Sequence, residues 1–183
     1  MYDTLIKKSI NREELDFYAT ERRAIEELLK VEKFNNIILE PACGAGHIGR
    51  VLEEYNYKVK ASDIKYRGYG NKKEINFFNI KENDLDIITN PPYFCAKEFL
   101  EHALNISKEK TKIAMLFRLA FLESKTRYEL FKTNPPKKVY VFSKRINCAK
   151  NGEFEKYKSS AIAFAWFIFE KGYKRETILK WIE

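Results

Sequence analysis

Metal-ligating and redox-active side chains are scarce in this sequence. Its 183 residues include two histidines and three cysteines. Cys43, Cys95 and Cys148 are odd in number, far apart and never in C-x-x-C spacing, so they give neither a disulfide framework nor a good zinc set. Each reads as a small packing residue in a reducing compartment, and a cytoplasmic protein without a metal is expected. Long apolar runs are missing too. The longest, residues 161–169, is too short to cross a bilayer as a helix. No basic, apolar and small-residue series opens the chain, so no secretory signal is read. There is no internal repeat, low-complexity tract or long linker, which makes a single domain over residues 1–183 the simplest organisation.

Acid is what the second half lacks. Residues 1–91 carry 15 lysines and arginines against 16 aspartates and glutamates, whereas residues 92–183 carry 19 against 10. The formal net charge of +8 therefore arises wholly in the later half. Residues 134–152 hold Lys137, Lys138, Lys144, Arg145 and Lys150 and no acid. Such asymmetry suits a polyanion, although a solvated lysine-rich surface has the same composition. Lys144 and Arg145 are the candidate contacts.

What the chain does have is Leu85-Asp86-Ile87-Ile88-Thr89 running into Asn90-Pro91-Pro92-Tyr93. The first five residues form an apolar, β-branched run of the length a buried strand needs. The prolines stop it, because neither can donate to a sheet ladder and each restricts the residue before it. Asn90 and Tyr93 are thereby held at a strand's carboxyl end, where open α/β sheets place their ligands. An amide oxygen, a proline carbonyl and an aromatic ring converging on one point suit a planar group that carries an NH2. The two acceptors take its hydrogens, and the ring stacks on its face.

Asn90-Pro91-Pro92-Tyr93 after an apolar strand resembles the catalytic tetrapeptide of S-adenosylmethionine-dependent amino-methyltransferases. DNA adenine-N6 enzymes, several RNA methyltransferases and protein-glutamine N5 enzymes share it. The resemblance implies that Asn90, Pro91, Pro92 and Tyr93 are catalytic. Leu39-Glu40-Pro41-Ala42-Cys43-Gly44-Ala45-Gly46 is likewise close to the cofactor motif of the adenine methyltransferases. A G-x-G after a strand is weak evidence by itself. The acid matters more, since Glu40 can accept from the cofactor's α-ammonium, a charge that a pyrophosphate lacks. Glu40, Pro41, Ala42, Gly44 and Gly46 are thus expected around S-adenosylmethionine. Asp63 lies close to the spacing at which an acid takes ribose hydroxyls, with Ile64 against the adenine. By resemblance, Asn79 stands where an acid often holds the adenine amine. Asp16-Phe17-Tyr18-Ala19-Thr20 partly resembles the motif that precedes the cofactor strand in DNA methyltransferases, which makes Tyr18 a candidate cofactor contact. Phe154 or Tyr157 would cover the free face of the target base.

Apolar spacing predicts helices over residues 21–31, with Thr20 as N-cap, and over 46–55, 94–106, 121–131 and 173–181. Strands are predicted over 37–40, 58–61, 75–78, 85–89, 113–117, 139–142 and 161–169, and a polar loop over 147–160. Residues 1–16 are polar and charged. This order resembles the Rossmann-like class I methyltransferase fold: α/β, a seven-stranded, mostly parallel sheet with an antiparallel last strand. The motif order also resembles the γ group of DNA amino-methyltransferases, which usually add a target-recognition domain. None is read here, so a protein partner supplying specificity is one expectation. The favoured reading is methylation of an exocyclic amine of nucleic acid, adenine N6 in DNA above all. An RNA base or a protein glutamine is the alternative acceptor, and a catalytically silent binding module competes with all three.

Overall fold

Short apolar runs make the strands of this chain, and amphipathic helices between them cover both faces. The computed structural model describes residues 17–156 and 161–183. β1 (Tyr18–Thr20) leads into α1 (Arg22–Val31), β2 (Ile37–Glu40), α2 (His47–Glu54) and β3 (Lys58–Ala61). β4 (Asp86–Thr89), α3 (Ala96–Ile106), β5 (Lys112–Arg118), α4 (Lys125–Thr133) and β6 (Lys138–Phe142) follow. β7 (Cys148–Lys150), β8 (Phe164–Glu170) and β9 (Ile178–Ile182) complete the described elements.

Seven strands form one sheet in the order β3-β2-β4-β5-β8-β6-β9. All run parallel except β8, which is antiparallel to both β5 and β6. The expected fold class is present, a mostly parallel α/β sheet with one antiparallel strand, but that strand is β8 and not the last, since β9 follows it and runs parallel to β6. Burial follows from that arrangement. Ala24, Ile25, Leu28 and Leu29 of α1 and Ile48, Val51 and Leu52 of α2 fill one face with Ile38, Ile88 and Trp166. Phe99, Leu100, Ala103 and Leu104 of α3 and Leu130 of α4 fill the other with Ile87, Met115 and Phe167. Central strands buried on both sides read as unbroken apolar runs rather than alternating ones.

Several elements differ from the sequence expectation. Residues 75–78 are no strand. The Asn76 side chain accepts from the Phe78 N–H at 3.0 Å and winds Phe77–Asn79 into a 3₁₀ turn. The seventh strand is instead β9, where a helix over 173–181 was expected; its residues are mainly β-branched and aromatic, and β6 offers them a free edge. Thr20 does not cap α1 but ends β1, and Glu21 is the N-cap, without a side-chain bond. The helix expected over 121–131 divides into a 3₁₀ turn, Leu119–Leu122, and α4, whose cap Ser124 accepts from the Thr126 N–H at 3.2 Å. Within the expected loop over 147–160, β7 pairs antiparallel with β1. Tyr157 and residues 1–16 lie outside the described residues.

In the acid-free segment Lys137 and Lys138 are spent on internal ion pairs. Lys137 meets Glu170 at 2.6 Å, and Lys138 meets Glu32. Glu32, 4% exposed, also receives Lys112 Nζ at 3.3 Å and the Tyr140 hydroxyl at 2.7 Å. It thus joins the end of α1 to β5 and β6. Burial alone would raise its pKa; the bonds from Lys138 and Tyr140 outweigh that and lower it. A lowered folded-state pKa gives stability that is present above the unfolded value and lost as pH falls through the folded one. Glu32→Ala should cost about 2–4 kcal/mol, less than an enclosed ion pair because both lysines can reach water. Urea unfolding of wild type and variant at neutral and acid pH measures it. A variant as stable as wild type at neutral pH would show that Glu32 holds nothing together.

Candidate functional site

The carboxyl ends of β2, β3 and β4 open into one crevice, because parallel strands place all their carboxyl ends on one edge. Glu40, Pro41 and Ala42 come from the end of β2, Asp63 and Ile64 from the turn after β3, and Asn90 and Pro92 from the end of β4. Tyr18 enters from β1. These expected residues line the same crevice. Gly44 and Gly46 are not part of that lining; both have positive φ, +53° and +86°, and turn the chain from β2 into α2. Asn79 is exposed and lies outside the lining; Asn76, Phe77 and Phe78 face the crevice in its place. The 3₁₀ turn that replaced the expected strand is the cause.

Glu40 is 1% exposed, and its Oε2 has no hydrogen-bond partner. Burial holds its carboxyl well above the usual range. The Gly49 N–H opposes that rise, while the charges of Asp63 and Glu53 add to it. Asp63 is more engaged. Its Oδ2 accepts from the Gly44 N–H at 2.8 Å, and its Oδ1 from the Lys65 N–H at 3.0 Å and Arg67 Nη1 at 3.3 Å. These bonds tie the turn after β3 to the glycine turn after β2. The Arg67 guanidinium also stacks on Phe17, 5.0 Å from the ring centre, and Phe17 lies against Gly44.

Asn90 is held from outside its own strand. Its Nδ2 donates to the Tyr18 carbonyl and to Thr20 Oγ1, each at 3.1 Å. Its Oδ1 is buried without a partner. Tyr93 does not line the crevice. Its ring lies beside Tyr18 (5.2 Å between centres) and Phe164 (6.0 Å), beneath the Arg118 guanidinium at 4.7 Å. The Tyr93 hydroxyl points inward toward Cys148 and Asn90 without a well-formed hydrogen bond, and burial keeps it protonated far beyond the ordinary phenol range. Cys148 is likewise pushed up to about 12 by burial, so it stays a thiol.

The expected polymer contacts lie on the same edge but outside the crevice. Lys144 and Arg145 are exposed after β6; their carbonyls accept from Arg23 at 3.3 and 2.6 Å, and Arg145 Nη1 donates to the Ala161 carbonyl at 2.9 Å. Phe154 packs on His47, 5.8 Å between ring centres, and is not part of the crevice lining. Sequence reasoning missed Thr20, His47, Arg67, Phe77 and Phe78 in the lining. The apolar doublet Phe77-Phe78 was visible but was read as a strand; the others carry no signal without the fold.

No protein-family model matches this sequence, and no curated protein matches it either. Solved structures do match its fold. A Listeria monocytogenes protein assigned to the class I S-adenosylmethionine-dependent methyltransferases aligns over 98% of this chain and 70% of its own, with TM-score 0.62 and 15% identity. A Vibrio vulnificus protein assigned as the modification subunit of a type I restriction enzyme aligns over 96% of this chain with TM-score 0.60 and 14% identity; the chain spans about half of it, 52%. A Pyrococcus horikoshii protein assigned as an RNA methyltransferase aligns over 81% of this chain and 79% of its own, with TM-score 0.54 and 15% identity. The fold is that of the class I methyltransferases.

A Cβ on Gly46 would stand 2.3 Å from the Tyr69 ring, on backbone that is already left-handed. Gly46→Ala is expected to cost about 1–3 kcal/mol from strain and displaced packing. Adding Tyr69→Ala should remove the clash from that cost and leave the backbone part, a difference that a double-mutant cycle in urea reads directly. Equal cost of Gly46→Ala with and without Tyr69 would mean that the ring does not press on the glycine.

Proposed function

We propose that this chain is an S-adenosylmethionine-dependent methyltransferase acting on an exocyclic amine of nucleic acid, with adenine N6 in DNA the favoured acceptor. The observation that carries the reading is Asn90 Oδ1, a buried acceptor without a partner at the carboxyl end of β4. The cofactor residues fit the same reading. Glu40 keeps an unpaired buried oxygen that suits an α-ammonium, Asp63 keeps acceptor capacity for ribose hydroxyls, and Ile64 with Phe78 offers apolar surface to adenine. When bound, S-adenosylmethionine supplies an electrophilic methyl on a sulfonium.

The lone pair of an aromatic amine is delocalised into its ring and is a poor nucleophile. Asn90 Oδ1 and the Pro91 carbonyl accept its two N–H groups and draw the nitrogen toward tetrahedral geometry, which frees that pair. Holding it in line then supplies much of the acceleration. No general base is needed beforehand, because the methylated ammonium is acidic and releases its proton. A base that leaves a stack and settles on Tyr93 displaces the Arg118 guanidinium from that ring. Lys144 and Arg145, exposed on the same edge, take phosphates. In this reading the chain acts as one catalytic domain. An RNA base is the second acceptor class, favoured by the fold shared with the assigned RNA methyltransferase.

Labelled S-adenosylmethionine incubated with DNA, RNA and protein pools tests the function. Label is expected in DNA, and Asn90→Ala should abolish transfer while cofactor affinity stays near wild type. Label in the protein pool alone would replace the acceptor. Wild-type transfer by Asn90→Ala would remove Asn90 from the chemistry.

Glu40 makes the cofactor reading pH-dependent. Its pKa is raised, so its contribution to unliganded stability is present at low pH and is lost as pH rises through the folded-state value. A cationic ligand against it favours the ionised form, so binding releases a proton. Affinity for S-adenosylmethionine should therefore rise with pH above the ordinary carboxylate range, and Glu40→Gln should flatten the rise. Calorimetry at several pH values measures both, and parallel slopes for the two proteins would place the ammonium elsewhere.

A further inference from the structure

The Asn90 amide has two N–H donors, and β1 supplies an acceptor for each: the Tyr18 carbonyl and Thr20 Oγ1. A carbonyl cannot donate, so Tyr18 decides which end of the amide faces β1. Thr20, 2% exposed, engages the second N–H and so limits rotation of the amide plane. Cys148 Sγ, on the paired strand β7, stands 4.0 Å from Nδ2 on the same side. Oδ1 is left turned away from these groups, buried and without a partner. We infer that Thr20 is a positioning residue for the methyl transfer, clamping the Asn90 amide so that Oδ1 meets the acceptor amine. The inference rests on the role of Asn90 proposed above.

The clamp also accounts for asparagine at this position. Aspartate would aim a second oxygen at the Tyr18 carbonyl and Thr20 Oγ1. The threonine hydroxyl can turn and donate, but the carbonyl cannot. An aspartate there must carry a proton on that oxygen or swing out of place. Asn90→Asp is therefore no mild change in this chain, despite keeping an acceptor oxygen.

Thr20→Val keeps the shape of the side chain and removes its oxygen. Its kcat should fall about tenfold, the effect of one positioned hydrogen bond, while KM and cofactor Kd stay near wild type. Thr20→Ser should restore the rate. The Asn90 side-chain NH2 signal, assigned by its loss in Asn90→Ala, should move in Thr20→Val and return in Thr20→Ser. Asn90→Asp should lose transfer as fully as Asn90→Ala does. A kcat for Thr20→Val within about twofold of wild type overturns the inference whatever the spectrum. An unmoved amide signal in Thr20→Val overturns it too, as does wild-type transfer by Asn90→Asp. If the wild-type protein methylates no pool, the proposed function falls, and the amide signal still decides whether Thr20 holds Asn90.

Discussion

The hydrogen bond from Asn90 Nδ2 to the carbonyl of Tyr18 ties together parts of the chain that are 72 residues apart. It has a direction that cannot be reversed, since only one of the two groups is a donor. Through it the short ribbon of β1 and β7 sets the amide at the end of β4. The ribbon is itself fixed at both ends. Glu21 N–H donates to the Asn147 carbonyl at 3.1 Å, and Asn151 N–H donates to the Phe17 carbonyl at 3.0 Å. Glu21 Oε2 accepts from the Asn147 N–H at 2.8 Å, and Arg23 holds the carbonyls of Lys144 and Arg145. The segment rich in basic residues is therefore anchored to the site rather than hanging beside it.

The opposite edge of the sheet is organised by charge. Glu32 gathers two lysines and a tyrosine, and Asp86 at the start of β4 accepts from the backbone N–H groups of Asn35 and Lys112 at 2.8 and 2.9 Å. Both acids are satisfied, as buried carboxylates must be. At the crevice edge the pattern inverts. Glu40 Oε2, Thr89 Oγ1 and Asn90 Oδ1 are buried without partners. Unpaired polar groups thus gather at one edge of the sheet and paired ones at the other.

Similarity to those solved structures at 14–15% identity means that the shared property is the fold, not the side chains. Within that fold this chain places a 3₁₀ turn where a third strand was expected and adds β9 at the far edge. Ile178, Leu179 and Trp181 of β9 stay largely exposed, the last at 69%. The departure at Phe77–Asn79 changes which groups line the crevice, because it turns Asn79 outward and brings Asn76 and two phenylalanines in.

The sequence by itself determined the central strands, the glycine turn after β2 and the tetrapeptide Asn90-Pro91-Pro92-Tyr93. Those depend on local chemistry: apolar runs buried on two faces, positive φ that favours glycine, and prolines that end a ladder. It also placed Glu40, Asp63 and Asn90 at strand ends, and strand ends of a parallel sheet share one edge. Only the tertiary structure decided the rest. Whether residues 178–182 pair as a strand depends on a free edge at β6, and whether 148–150 do depends on β1; neither partner is local. Thr20 looked like a helix cap because its neighbours fit one, yet its side chain meets Asn90, just past the end of β4. Lys137 and Lys138 looked free for a polyanion until Glu170 and Glu32 were brought against them. Long-range pairing carries no periodicity in the chain, so the clamp on Asn90 could be seen only once β1 was brought to the end of β4.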